Sequence, residues 1–132
     1  MGKSFQIDII TPVKTVNLGS SEYLRAPGLK GLFGVKAKHA SSVISINLGE
    51  IKVTQNGKDA YFATNGGYAD IKPEGVILIL ETFEKSDEIN IQRSKESIKR
   101  SEERLGNPEF NQSRVKKALK RSKNRLKIAE KK

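Results

Sequence analysis

The sequence predicts an α+β chain that is mainly β: a sandwich or barrel of short strands, then two antiparallel helices. Three observations predict it. Through about residue 85, apolar residues alternate in short runs separated by turn signals. After EKSDE (84–88) the apolar period lengthens to three and four residues. The charge divides at the same place: residues 1–87 hold ten Lys+Arg against nine Asp+Glu, and residues 88–132 hold fifteen against six.

The strands follow in order. FQIDII (5–10) puts Phe5, Ile7 and Ile9 on one face, and Pro12 stops it. SVISIN (42–47), IKVT (51–54), DAYFAT (59–64), YADI (68–71) and GVILILET (75–82) come at short intervals, with turn signals LGE (48–50), QNGK (55–58), NGG (65–67) and KPEG (72–75) between them. An Asn-Gly pair between β-rich runs is a hairpin signal because both residues tolerate positive φ. The glycines of GLKGLFG (28–34) read as turn glycines. That segment lacks the Gly-Lys-Ser/Thr of a phosphate loop and is not set between a strand and a helix.

The helices carry an internal echo. INIQRS (89–94) recurs 21 residues later as FNQSRV (110–115), and Ile98, Arg100, Ser101, Arg104 and Leu105 recur as Leu119, Arg121, Ser122, Arg125 and Leu126. Asn90 and Asn111 suit N-caps, where a side-chain oxygen accepts from a free first-turn amide. Gly106 and Pro108 signal the end of the first helix, and the short GNPEF connection predicts an antiparallel hairpin. The predicted seam is Ile91, Ser94, Ile98, Ser101 and Leu105 against Val115, Leu119, Ser122, Leu126 and Ala129. With serines at three of these positions it is thin, so the hairpin needs the β domain, a ligand or a partner to hold it shut. The echo sets two arginine trios at one spacing, Arg93, Arg100, Arg104 and Arg114, Arg121, Arg125.

Composition narrows the chemistry. There is no cysteine, so neither a disulfide framework nor a thiolate metal site is open to the chain, and the single His39 cannot build a histidine cluster. The longest apolar run, VILIL (76–80), falls far short of the ~20 residues of a membrane helix. MGKSFQIDII lacks the apolar core of a signal peptide, which sets the expectation of a soluble, cytoplasmic chain. His39 with Ser41 and Ser42 makes no triad, and no paired carboxylates frame a site. Binding or regulation is therefore expected, not catalysis. The basic tail asks for a polyanionic partner: nucleic acid, anionic lipid, nucleotide or acidic protein. Against a nucleic-acid module, the tail's one aromatic is Phe110, and Glu96, Glu102, Glu103 and Glu109 interrupt any phosphate-tracking face.

The ordered run FQIDIITP, GLFGVKAKHA, ATNGGYADI and VILILET, ending in INIQRSKESIKRSEERL and SRVKKALKRSKNRLKIAEK, resembles the epsilon subunit family of bacterial F-type ATP synthases over the full length. The resemblance implies a ten-stranded β-sandwich (1–86) docked on the gamma subunit and the c-ring, then a regulatory helical hairpin (87–132). It implies a non-catalytic central-stalk subunit that couples rotation and inhibits ATP hydrolysis through the hairpin, at the cytoplasmic face of the plasma membrane without inserting into it. No cofactor or metal is required, no nucleic acid is a partner, and the head's alpha and beta subunits are.

In some bacterial members the folded hairpin binds ATP. Carried onto this chain, that site comprises Glu84, Ile89, Asn90, Arg93, Ser94, Arg100, Arg121 and Arg125. Asn90 stands where the family motif has Asp, and Ser94 where it has Ala. The resemblance further implies a contact loop for c-ring and gamma at Leu32, Phe33, Gly34, His39 and Ala40, within a segment that lacks the family's Glu, Pro-Gly and final Pro. It implies inhibitory charges at Arg104, Arg114, Lys116, Lys117, Lys120 and Lys123, facing an acidic segment of the catalytic beta subunits.

Overall fold

The structure, a computed structural model, describes residues 4–131. Its strands are β1 (Phe5–Ile10), β2 (Thr15–Ser21), β3 (Tyr23–Gly28), β4 (Gly31–Val35), β5 (Ser42–Ile46), β6 (Gly49–Gln55), β7 (Lys58–Thr64), β8 (Gly67–Lys72), β9 (Gly75–Leu80) and β10 (Glu84–Lys85). A 3₁₀ turn at Ser86–Glu88 leads to α1 (Ile91–Arg104) and α2 (Gln112–Ala129). The strands make two five-stranded sheets, ordered β2-β1-β9-β8-β5 and β10-β7-β6-β3-β4. The β1–β9 pair is parallel, from Gln6 opposite Gly75 to Ile10 opposite Ile79, and the other described pairs are antiparallel.

Period-2 alternation builds the core between the sheets. Phe5, Ile7 and Ile9 of β1 and Val76, Leu78 and Leu80 of β9 point inward against Leu24, Ile51, Val53 and Phe62 of the other sheet. Each such burial contributes about 1.5–3 kcal/mol before ordering costs. The outer face of the first sheet is also apolar in part. Pairing aligns Ile10, Ile79 and Tyr68 in one exposed row, and places Ile77 between Asp8 and Asp70 in the next.

The Asn56-Gly57 turn forms as predicted, with φ of 52° and 75° joining Gln55 to its partner Lys58. Gly67 is required as glycine: its φ is +155°, and a Cβ there would strike the Ile79 carbonyl. Two turn readings need correction. Gly49 and Glu50 open β6, and Gly31–Val35 is strand β4, with only Leu29 and Lys30 turning the chain between β3 and β4. Strands β2, β3, β4 and β10 carry no alternation that announces them. β2 and β4 are half-exposed and glycine-bearing, β3 contains Pro27, and β10 is two residues long.

Both helices start where the echo places them. Asn90 Oδ1 accepts from the Arg93 amide at 3.0 Å, and Asn111 Oδ1 from the Arg114 amide at 3.2 Å. The Gln112 side chain ties the connection, accepting from the Gly106 amide and donating to the Asn107 carbonyl, each at 2.8 Å. The seam differs from expectation at both ends. Leu105 caps α1 with 45% of its surface exposed, whereas Ser94, Ser101, Val115 and Ser122 are buried. Ile128, absent from the predicted seam, is fully buried in a cluster with Ala63 of the sandwich and Ile89, with Ile91 of α1 packed beside it.

Candidate functional site

The hairpin sits on the outer face of the second sheet. Sheet pairing sets Glu84 of β10, Ala63 of β7 and Glu50 of β6 in one row, acid–small–acid. The end of α2 and the residues just past it cross that row with matching chemistry. Arg125 Nη2 donates to Glu84 Oε2 at 2.9 Å, and its Nε lies 2.8 Å from Oε1 without hydrogen-bond alignment. Ile128 and Ala129 pack with Ala63 and Ile89. Lys131 Nζ bonds Glu50 Oε2 and lies 5.2 Å from the Tyr61 ring centre. Asn124 Nδ2 donates to the Gly49 carbonyl at 3.0 Å. Among the described residues these are the side-chain hydrogen bonds joining the helical region to the sandwich, two from α2 and one from Lys131 just past its end.

A cleft of about 360 Å³ opens between hairpin and sandwich, lined by Glu84, Arg121, Arg125, Ser97, Ser122 and the Asn65–Thr82 pair, with Ala118. Ser97 Oγ and Ser122 Oγ are 2.7 Å apart, and the Asn65 amide donates to Thr82 Oγ1 at 2.9 Å. Two guanidiniums facing hydroxyls and an amide suit an oxyanion, and the guanidinium fork matches phosphate oxygens. Glu84 already neutralises Arg125, so Arg121 is the cation left over.

The structure brings together three of the eight nominated nucleotide contacts, Glu84, Arg121 and Arg125. Asn90 is engaged as an N-cap, Ser94 is buried with its hydroxyl donating to the Asn90 carbonyl, and Ile89 is buried under the end of α2. Arg93 and Arg100 are exposed and line neither this cleft nor the one at the hairpin tip. The trios do not meet as sets, because the helices run antiparallel. Arg104 and Arg114 come together at the tip with Lys117 and Arg121, around a second cleft of about 540 Å³. There the Arg104 guanidinium lies 4.7 Å from the centre of the Phe110 ring.

Lys116, Lys120 and Lys123 are exposed on α2. In the sandwich segment, Leu32 is 65% exposed and Ala40 is exposed, while Phe33 packs against the core. Gly34 lies under the Tyr23 side chain, and His39 stands edge-on to Phe5 at 5.5 Å and contacts the Lys36 carbonyl through Nδ1. Ser97, Ser122, Asn65 and Thr82 are not nominated for the site by the sequence. The echo pairs Ser101 with Ser122, but antiparallel packing puts Ser97 opposite Ser122.

The comparisons agree along the whole of this architecture. A family model described as ATP synthase, Delta/Epsilon chain, beta-sandwich domain matches residues 4–86, and one described as ATP synthase, Delta/Epsilon chain, long alpha-helix domain matches residues 87–130. The ATP synthase epsilon chain of Desulforamulus reducens is 33% identical over 107 residues, 81% of each chain. That of Geotalea daltonii is 34% identical over 111 residues, 83% of this chain and 80% of the relative. A chain in the cryo-EM structure of Euglena gracilis mitochondrial ATP synthase has the same fold, with a TM-score of 0.84 over 98% of this chain and 83% of that one at 16% identity. In both of its parts, sandwich and helical hairpin, this chain belongs to the ATP synthase delta/epsilon chain family.

Proposed function

We propose that the chain is the non-catalytic epsilon-type subunit of a bacterial rotary ATP synthase, with a sandwich that couples rotation and a hairpin that restrains ATP hydrolysis. The observation that carries this reading is the way the hairpin is held. A helix pair with a thin serine seam touches the sandwich through one end of α2, so it can detach without disturbing the sandwich core. Its exposed face carries Arg104, Arg114, Lys116, Lys117, Lys120 and Lys123, a surface suited to an acidic segment of the head's catalytic subunits.

The exposed Ile10–Ile79–Tyr68 row gives the sandwich an apolar face for the gamma subunit. Leu32 and Ala40 are exposed for contact at the c-ring. The subunit is peripheral at the cytoplasmic face; among the described residues no helix is long and apolar enough to cross a membrane. ATP is its regulatory ligand, held weakly in the cleft of Glu84, Arg121 and Arg125, with Arg121 the chief phosphate contact. No cofactor is assigned.

The test is a reconstituted synthase whose subunit lacks residues 88–132. It is expected to hydrolyse ATP faster than the intact enzyme at low ATP while still pumping protons. Unchanged hydrolysis would remove the regulatory role. For ATP itself, calorimetry on the free chain is expected to show weak binding that Arg121→Ala abolishes.

A further inference from the structure

The row Glu84–Ala63–Glu50 meets Arg125, then Ile128 and Ala129, then Lys131: base, apolar, base against acid, small, acid. Its two ends differ. Glu84 is one-third exposed, so water can solvate it when Arg125 leaves. The Glu50 side chain is only 16% exposed, and a carboxylate that poorly solvated is costly to leave bare. It is never left bare, because Arg25 of β3 holds Glu50 Oε1 at 2.9 Å while Lys131 takes Oε2.

We infer that the end of α2, with Lys131 just beyond it, is a release latch and that Glu50 is its shared receptor, binding Lys131 when the hairpin is folded and keeping Arg25 when it is not. Arg25 lowers the cost of letting go; Lys131 and Ile128 supply the grip. The two cations on one carboxylate therefore act with opposite sign. Losing Lys131 frees the hairpin, whereas losing Arg25 tightens it, since release would then strand Glu50 alone. This rests on the proposed switching hairpin, and it assigns the residues that set the balance.

The chain contains no cysteine, so two introduced at exposed Glu22 and Ser113 give a clean pair for spin labels on the full-length protein. Electron–electron distance measurements then report docked and released populations. Lys131→Ala is expected to raise the released-to-docked ratio about threefold, the scale of a partly exposed ion pair. Arg25→Met is expected to lower that ratio while also lowering the melting temperature of the sandwich. Ile128→Asp, which puts a charge into the apolar centre of the latch, is expected to release most of the hairpin. If Ile128→Asp leaves the distances unchanged, the hairpin does not move, and the switching reading falls with the latch. If Ile128→Asp releases it but Lys131→Ala does not, the latch assignment is wrong and the switch stands. Release by Arg25→Met comparable to that by Lys131→Ala would overturn the shared receptor.

Discussion

The sandwich and the hairpin solve the same problem in opposite ways. The sandwich is nearly neutral and closes on a continuous apolar core contributed by both sheets. The hairpin carries most of the positive charge, buries serines along its seam, and takes its fully buried apolar anchors, Ile128 and Ala129, from contact with the other region. A region with its own core is stable in isolation. A region whose burial lies mainly at a junction is stable only while the junction is closed, and its stability can be set by whatever else competes for that junction.

Damage to the sandwich core tests this contrast most severely. Leu78 is fully buried, and Leu78→Ala is expected to cost about 2–5 kcal/mol, seen as a lower urea midpoint for the sandwich. Hairpin amides should lose protection along with it, because their docking surface unfolds. The reverse does not hold. Residues 1–87 alone are expected to unfold cooperatively as a β domain, while residues 88–132 alone show little helical circular dichroism at low micromolar concentration. Strong helicity in the isolated tail would mean that the serine seam suffices without the sandwich.

A smaller effect is expected at the caps. Asn111→Ala removes the acceptor for the Arg114 amide and is expected to cost about 1 kcal/mol, confined to faster amide exchange in the first turn of α2. Smallest of all is Arg93→Ala. Arg93 is exposed, and the change should shift stability by less than about 0.5 kcal/mol in urea titration. A larger loss, or a large loss of ATP affinity, would mean that the hairpin closes further around a ligand than it does alone.

How far the sequence could be read follows the same division. β1, β8 and β9 announce themselves because one face is buried and apolar residues alternate, β5, β6 and β7 because β-rich runs sit between turn signals, and the Asn-Gly turn and both Asn caps are local chemistry. β2, β3 and β4 do not, since glycine, proline and polar residues occupy them, and β2 and β4 are edge strands with one neighbour each; for the full count of ten strands only the family resemblance served. The latch was illegible for a different reason. Glu50 and Lys131 lie 81 residues apart, and nothing in either's neighbourhood marks the other. The arginine trios were visible as spacing, but spacing along each helix says nothing about which ends an antiparallel turn brings together, and so the clefts divide them.

The parallel β1–β9 pair has a consequence for biosynthesis. β1 is the second strand of its sheet, between β2 and β9, and its β9 partner begins only at Gly75. A growing chain can zip β1 to β2 early, through a short turn, but that two-stranded ribbon has no partner on its other edge until nearly the whole sandwich has been translated. Long-range parallel pairing of this kind is slow, and the waiting edge is open to wrong partners. At synthesis rates of about 5–20 residues per second the interval from β1 to β9 lasts several seconds. Only after it closes is there a surface for α2 to find, so on the ribosome the order of assembly is fixed: sandwich first, hairpin last.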